Sequence, residues 1–215
     1  MTDATSPSRQ ASRRTQTERR ADAERRLLEA ARQIVARKGW VGMTLAEVGE
    51  EAGYSRGLAA HHFGSKAGLL RALAAYVNRN FMALVDIELP SRQPGLDALL
   101  GFVRVYLGRD GSDWTNTRAL LALMAEAVTE DAETREILAE YNRSVQDHLA
   151  AHIRTGIANG DIRRNVDATA SATLLLATLR GVMLQHLLDP VSVELAAVQR
   201  QLLDFVNAAL AVAPR

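Results

Sequence analysis

The chain has 215 residues, with 26 Lys or Arg against 25 Asp or Glu and no cysteine. This length can bury a sizeable hydrophobic core in one large domain or two small ones. The lack of cysteine excludes disulfides, thiolate metal sites and a cysteine nucleophile, and it is compatible with a reducing cytoplasm. We expect neither a secretory signal nor a membrane-spanning run, because no sufficiently long apolar segment stands out. Few segments alternate like strands, which favours an all-α protein.

Positive charge is concentrated in the first third of the chain. Residues 1–66 contain twelve Lys or Arg and eight Asp or Glu, a balance of +4, whereas residues 67–215 contain fourteen and seventeen, a balance of −3. A basic N-terminal third beside a mildly acidic remainder is typical of a protein with one end that faces a nucleic acid.

Residues 1–20 are almost without apolar side chains, and we interpret them as a disordered basic arm. Such an arm could reach a DNA minor groove or phosphates, as basic arms do in some DNA-binding proteins. The alternative is a solvated tail that has no role. The arginines concerned are Arg9, Arg13, Arg14, Arg19 and Arg20.

The first helix is predicted over about residues 21–38. Apolar side chains recur there every three or four residues, the spacing that places them on one face of a helix. Gly39 can end this helix, because glycine adopts a left-handed backbone without steric cost. The apolar stripe consists of Leu27, Leu28, Ala31, Ile34 and Val35.

Residues 44–66 predict two short helices, over about residues 45–52 and 56–62, joined by a tight turn. Thr44 is a suitable N-cap for the first helix, with a Glu three residues later to complete a capping box. Gly53 can end that helix, and Ser55 can cap the second. This layout is that of a DNA-binding helix-turn-helix, although an unrelated helical corner has the same spacing.

The residue types in this stretch favour DNA binding. Small or apolar side chains face the crossing of the two helices, whereas the opposite side carries groups that can donate to phosphates or base edges. We expect Arg56, Leu58 and His61 to contact bases, and Gly57 to let the backbone approach. The predicted DNA-binding residues are Thr44, Ser55, Arg56, Gly57, Leu58, His61, His62 and Lys66.

The stretch resembles the DNA-binding domain of TetR-family transcriptional regulators, and it matches the spacing of the family motif without a gap. Three positions depart from the family pattern. Gly49 stands where the family usually has Ala, which we expect to be a mild change. Tyr54 replaces an aliphatic residue, and Ala60 replaces a Tyr that often contacts a phosphate. The matching residues are Thr44, Val48-Gly49, Ala52-Gly53-Tyr54-Ser55, Gly57, His62-Phe63 and Ser65-Lys66.

Residues 67–215 are predicted to form a helical ligand-binding and dimerisation domain, which follows the helix-turn-helix domain of residues 21–66. A long helix over Lys66–Glu88, capped by Ser65, connects the two, and Pro90 and Pro94 bracket the loop that follows. We expect about nine helices in total. The later ones span about residues 95–107, 113–128, 130–158, 168–188 and 193–212, with Asp113, Asp167 and Ser192 as N-caps.

The last two predicted helices carry apolar residues on more than one face, so that both sides of each must be buried. One side can pack on the chain's own core and the other against a second copy, with Leu176 on the side that meets the copy. A fully buried central hairpin is the alternative. The resemblance to the TetR family also implies a homodimer, because these helices usually form its four-helix interface.

The resemblance further implies a small-molecule cavity in the second domain. The aromatic and Met residues of the middle helices predict a mostly apolar site with few polar groups, although each of them could instead be core. Arg180 could bind a ligand carboxylate or pair with Glu126 or Asp147. The candidate ligand-binding residues are Phe102, Tyr106, Trp114, Met124, Tyr141, His148, Arg180 and Met183.

The sequence motifs favour neither a metal site nor an enzyme. His148 and His152 stand four residues apart, which suits a metal, but no third ligand can be named, and we predict no metal and no cofactor. No nucleophile motif or phosphate-binding loop favours an enzyme.

The sequence therefore predicts a ligand-responsive DNA-binding transcriptional regulator. We expect a cytoplasmic homodimer on a palindromic double-stranded DNA operator, without contact with a membrane. It would act as a repressor that a small hydrophobic or amphipathic ligand releases. The alternative is an all-α ligand-binding or scaffold protein without specific DNA binding, and an all-α enzyme is less favoured.

Overall fold

The computed structural model describes residues 15–88, 93–108, 114–129 and 132–212. Within these ranges the chain forms nine α-helices and a single isolated antiparallel bridge, between Ile162 and Ala211. The all-α prediction is confirmed. The helices are α1, Gln16–Lys38; α2, Leu45–Glu51; α3, Leu58–Phe63; α4, Lys66–Glu88; α5, Leu96–Leu107; α6, Thr115–Ala127; α7, Ala132–Asn159; α8, Ala168–Leu188; and α9, Leu195–Leu210.

Helix α1 begins earlier than predicted. The Thr15 hydroxyl accepts a hydrogen bond from the Glu18 amide at 3.2 Å, and the Glu18 carboxylate accepts one from the Thr15 amide at 2.7 Å. This capping box starts the helix at Gln16, so the prediction of a disordered arm through residue 20 is wrong for residues 16–20. The arginines at positions 9, 13 and 14 lie outside the described residues.

The turn between α2 and α3 differs from the predicted one. Thr44 and Glu47 form the expected capping box, at 2.9 and 3.3 Å, and Gly53 follows α2 with a φ of 78°. Ser55, however, does not cap the next helix. Its carbonyl accepts from the Leu58 amide at 3.1 Å, which makes residues 55–58 a turn and delays α3 until Leu58.

The helices bury two hydrophobic cores. The first unites α1–α3 and the first half of α4 with α6 and the start of α7, and its fully buried side chains include Leu27, Leu69 and Leu123. The second is built from α5, α8, α9 and the remainder of α7, around Leu99 and Leu149. Half-buried Tyr141 of α7 packs against both cores. The first core therefore joins the helix-turn-helix unit directly to helices of the second domain.

The predicted N-cap of α8 is confirmed, whereas that of α9 is wrong. The Asp167 carboxylate accepts from the amides of Thr169 and Ala170 at 2.9 and 3.0 Å, so α8 begins as expected. Ser192 does not cap α9. Its own amide donates to Asp189 at 3.1 Å, and Glu194 caps α9 instead. The proposed cap at position 113 lies outside the described residues.

Helix α8 is long and apolar enough to cross a membrane by length and composition alone, which the sequence analysis did not expect. One such helix is weak evidence for a membrane span, since core helices of other proteins have the same composition.

Leu176 of α8 is only 2% exposed and belongs to the protein's own core, so placing it on the surface that meets a second copy was wrong. The outer face instead presents Leu174, Leu184 and Leu188, which are 69%, 49% and 77% exposed.

Candidate DNA-binding surface and ligand cavity

Helix α2 closely approaches the turn that precedes α3 at Gly49. A Cβ atom at this position would lie 2.5 Å from the carbonyl oxygen of Ser55, far inside any normal contact. The Tyr54 amide also donates to the Gly49 carbonyl at 2.9 Å, which holds the turn against α2. Gly49 is therefore required by this backbone, and the expectation that its difference from the family's Ala is mild was wrong.

The turn and α3 present a polar surface to solvent. Ser55, Arg56, Gly57 and His61 are exposed, whereas Leu58 is half-buried. Arg56 is the most prominent charge: its side chain is 75% exposed, with Nε 3.5 Å from a carboxylate oxygen of Glu50. The side chains of Ser55, Arg56 and His61 are therefore accessible donors suited to base edges or phosphates.

His62 and Lys66 are engaged by the protein itself. The His62 side chain is 11% exposed, and its Nε2 lies 3.2 Å from a carboxylate oxygen of Glu24 in α1. The Lys66 ammonium donates to the Val41 carbonyl at 3.0 Å and stands 5.0 Å from the centre of the Trp40 ring. Both side chains therefore hold α3 and α4 against α1 and the segment after it, a role the sequence reasoning missed.

Acidic neighbours balance the basic groups at the end of α1. The Lys38 ammonium lies 2.6 Å from a carboxylate oxygen of Glu47, and Arg37 lies 3.1 Å from Glu51. The hydrogen bond from Lys38, together with those from Thr44, lowers the pKa of Glu47 to about 2. The Glu47 carboxylate consequently stays ionised at neutral pH and maintains the cap of α2.

A cavity of about 150 Å³ lies between α4, α5, α6, α7 and α8. Five of the eight predicted ligand-binding residues line it: Phe102, Tyr106, Tyr141, His148 and Arg180. The other three do not. Met183 is fully buried in the second core, Met124 packs against the first, and the Trp114 ring lies 6.0 Å from the His186 ring.

Sequence reasoning missed ten of the lining residues, and the four on α4 were missed because this helix was interpreted only as a connection between domains. The i, i+4 spacing of Val77 with Phe81, and of Asn78 with Met82, could have indicated that one face of this helix lines a site. The further lining residues are Val77, Asn78, Phe81, Met82, Asn116, Thr117, Leu120, Ser144, Val145 and Leu176.

One wall of the cavity is aromatic. The Phe81 ring meets the rings of Phe102 and Tyr106 edge to face, with centroids 5.1 and 5.4 Å apart, and the latter two rings stack at 6.0 Å. Such pairs fix ring positions and leave a rigid apolar surface for a ligand.

The cavity also has polar lining residues, and Arg180 is the charged one among those described. Its Nη1 donates to the side-chain oxygen of Asn142, and the guanidinium lies near the Tyr141 hydroxyl. Burial raises the pKa of Tyr141 to about 12, although the guanidinium opposes this shift. Among the described residues the buried Nε of Arg180 has no hydrogen-bond partner. The expected pairing of Arg180 with Glu126 is wrong, because that carboxylate binds elsewhere.

Glu126, near the C-terminal end of α6, contacts the helix-turn-helix domain. Its carboxylate accepts from the backbone amides of Trp40 and Val41 at 2.6 and 3.0 Å. The same helix contributes Asn116, Thr117 and others to the cavity. Helix α6 thus runs from the cavity to the segment between α1 and α2, and the sequence carried no local signal of this contact.

The histidine pair on α7 does not extend to a cluster. The rings of His148 and His152 lie 4.9 Å apart. In the parts of the chain that the structure describes, no three His, Asp or Glu side chains come together as a set that could hold a metal ion.

Comparisons with known proteins agree with this arrangement. Residues 27–73 match the family model of bacterial regulatory proteins of the tetR family, and residues 95–211 match that of the BetI-type transcriptional repressor C-terminal domain. The regulator BetI of Rhizobium meliloti is 27% identical over 190 residues, which cover 86% of this chain and 87% of that protein.

Solved structures show the same fold. A Rhodococcus protein described as a TetR-family transcriptional regulator superposes with a TM-score of 0.80 and 26% identity, covering 89% of this chain and all of that one. A transcriptional regulator from Saccharomonospora viridis, solved in complex with choline, superposes with a TM-score of 0.73 and 25% identity, covering 90% of this chain and all of the other. The prediction of a DNA-binding transcriptional regulator is confirmed, and the scaffold alternative is not favoured. This chain belongs to the TetR family of bacterial transcriptional regulators, and its C-terminal domain is of the BetI type.

Proposed function

We propose that the protein is a dimeric repressor whose affinity for its operator falls when a small apolar or amphipathic effector binds in the cavity. One observation carries this proposal. Helices α4 and α6 line the cavity, and the same two helices hold the helix-turn-helix domain through Lys66 and Glu126. A ligand that displaces either helix therefore acts directly on the DNA-binding surface.

The DNA-binding role is assigned to the exposed surface of the turn and α3. The exposed side chains of Arg56 and His61 are assigned to base edges in the major groove, and that of Ser55 to phosphates. Thr44 contributes by positioning α2, since its amide and hydroxyl both donate to Glu47. In a dimer, two such surfaces would meet half-sites about 34–36 Å apart, one helical turn of DNA. His62 and Lys66 contribute mainly by positioning this surface, since both are held by contacts within the protein.

The second copy is assigned to the outer face of α8 and α9. Leu174 and Leu188 on α8, and Phe205 on α9, are 69%, 77% and 62% exposed. We infer that these side chains belong to one interaction surface, because large exposed apolar patches on proteins mark interaction sites. A two-fold pairing would cover these side chains with the same residues of the partner and form a four-helix interface.

The response to a ligand is a shift between two dimer geometries. When α4 or α6 moves relative to α1, the two α3 helices change their separation and no longer match successive grooves. Effector and DNA then weaken each other's binding by the same factor. A regulator of this kind works where the chromosome is, in the cytoplasm, and needs no catalytic group.

The test is a DNA-binding titration with the full chain. A duplex selected from a random library should be palindromic and should bind with an affinity that falls steeply with salt, since phosphate contacts release counterions. Lipophilic compounds that bind the protein should then release the duplex. If selection yields no preferred duplex, or if bound compounds leave DNA affinity unchanged, the proposal is wrong.

A further inference from the structure

The charge of the cavity restricts the chemistry of its ligand. Of the described residues that line it, Arg180 is the only one with a permanent charge, and none is an Asp or Glu. An effector with a positive charge would meet a like charge with no carboxylate to offset it, and would lose water contacts on entering. A negative group would instead gain a partner.

The donors at Arg180 are arranged to receive such a group. Within the described part of the chain its Nη1 bonds the neutral side chain of Asn142, and its other close neighbour is the neutral hydroxyl of Tyr141. Among the described residues its buried Nε has no hydrogen-bond partner, so one donor of this charged group is left unsatisfied within the protein, which is costly. Because Tyr141 stays protonated at neutral pH, its hydroxyl hydrogen can be donated as well.

We propose that the effector is a small apolar carboxylate, whose oxygens accept hydrogen bonds from the Arg180 guanidinium and the Tyr141 hydroxyl. Its apolar part would lie against the aromatic wall of Phe81, Phe102 and Tyr106. This inference rests on the proposed effector function and names the ligand class of that site. The proposed ligand class differs from a quaternary ammonium ion such as choline, which the structure of the Saccharomonospora viridis regulator contains.

The size of the cavity restricts the ligand further. A volume of about 150 Å³ is comparable to that of an engineered cavity that accepts benzene. Ser144, an exposed residue, is among the lining residues, so the cavity reaches the surface near it. Benzoate and hexanoate are therefore suitable probes, with benzamide as the neutral, and benzylammonium and choline as the cationic, comparisons.

The experiment is isothermal titration calorimetry of the full chain with each probe. At least one carboxylate should bind at one site per protomer, and benzoate should bind about ten- to one-hundred-fold more tightly than benzamide, the range expected for a charge-assisted hydrogen bond. Benzylammonium and choline should not bind. Failure of both carboxylates to bind, or tighter binding of a cation, would overturn the inference.

Variants assign the effect to one side chain. Arg180→Gln should weaken benzoate about ten- to one-hundred-fold and leave benzamide within about two-fold. The matched control is Arg154→Gln, because Arg154 lies exposed on α7 and does not line the cavity. If Arg180→Gln does not fold, nitrogen-15 NMR of the native protein replaces it: the Arg180 Nε signal should move on adding benzoate but not benzamide. Unchanged benzoate affinity in a folded variant, or an unmoved signal, overturns the inference.

The two proposals fail in different ways. Release of operator DNA by choline or benzamide, but not by a carboxylate, would retain the effector function and overturn the carboxylate. Binding of benzoate at Arg180 without any change in DNA affinity would support the ligand class and overturn the effector function.

Discussion

The helix-turn-helix unit and the ligand cavity are built by opposite means. In the former, each cap and turn is made by residues close together in the chain, as with Thr44 and Glu47, or Ser65 and the amide of Gly68 at 3.0 Å. The cavity instead takes its wall from α4, α5, α6, α7 and α8, none of which defines it alone. DNA binding therefore depends on local backbone geometry, whereas ligand binding depends on how the helices pack.

The largest effect is expected from substitutions on the outer face of α8 and α9. This face belongs neither to the helix-turn-helix unit nor to the cavity. Leu184→Glu combined with Phe205→Glu should give a monomer and weaken operator binding by more than about one-hundred-fold, because the two half-site contacts are no longer linked. Light scattering and a DNA titration measure the two changes. Leu176→Glu should instead unfold the second core, since Leu176 is buried within the protomer.

If the double variant remains a dimer with full affinity for DNA, the interface lies elsewhere on the protein.

A substitution at Gly49 should break the local geometry of the DNA-binding unit. Gly49→Ala places a Cβ against the Ser55 carbonyl and should reduce the free energy of unfolding by about 1–3 kcal/mol, with a loss of DNA affinity. Gly53→Ala is the control: its φ is 78° but its Cβ would meet no atom within 4 Å, so about 1–2 kcal/mol is lost through backbone strain alone.

Urea denaturation and a DNA titration measure both variants. Equal DNA affinities for the two would contradict the role assigned to the close approach at Gly49.

Removing the contact between the two regions should have an intermediate effect. Glu126→Ala leaves the amides of Trp40 and Val41 without their acceptor, which costs about 1–3 kcal/mol at the buried Trp40, and it should reduce the response of DNA binding to any effector. Hydrogen exchange at these two amides should become faster. Glu136→Ala serves as the control, because Glu136 pairs with exposed Arg143 on its own helix.

Unchanged exchange at both amides in the Glu126 variant would mean that α6 does not hold this segment in solution.

The smallest expected effect concerns the surface of the DNA-binding unit. Glu50→Gln removes the acidic neighbour of Arg56, a pair worth only about 0–1 kcal/mol at such exposure, and should tighten DNA binding by up to about five-fold at low salt. Arg56→Ala should relax sequence preference if Arg56 reads a guanine. Competition titrations against operator variants distinguish the two. A weaker affinity in Glu50→Gln would contradict the competition between Glu50 and DNA for Arg56.

Features that depend on short-range interactions could be predicted from the amino-acid sequence. Helix periodicity, the capping box at Thr44, the glycine that follows α2 and the Asp167 cap were all predicted, because each requires only the backbone and a side chain nearby. The same information supported the family and the DNA-binding role. Even here Ser55 was misplaced, since a serine before a helix serves equally well in a turn.

Which of several chemically similar residues form a site depends on how the helices pack, and the sequence does not show this packing. Phe102 lines the cavity and Met183 does not, yet both are buried apolar residues with the same helical pattern. The apolar periodicity of a helix identifies its buried face. It does not show where along that face the neighbouring helices pack tightly and where they leave a cavity. For the same reason Leu176 was assigned to the wrong face of α8, where apolar residues surround the helix, and Glu126 gave no sign that it reaches Trp40 across the first core.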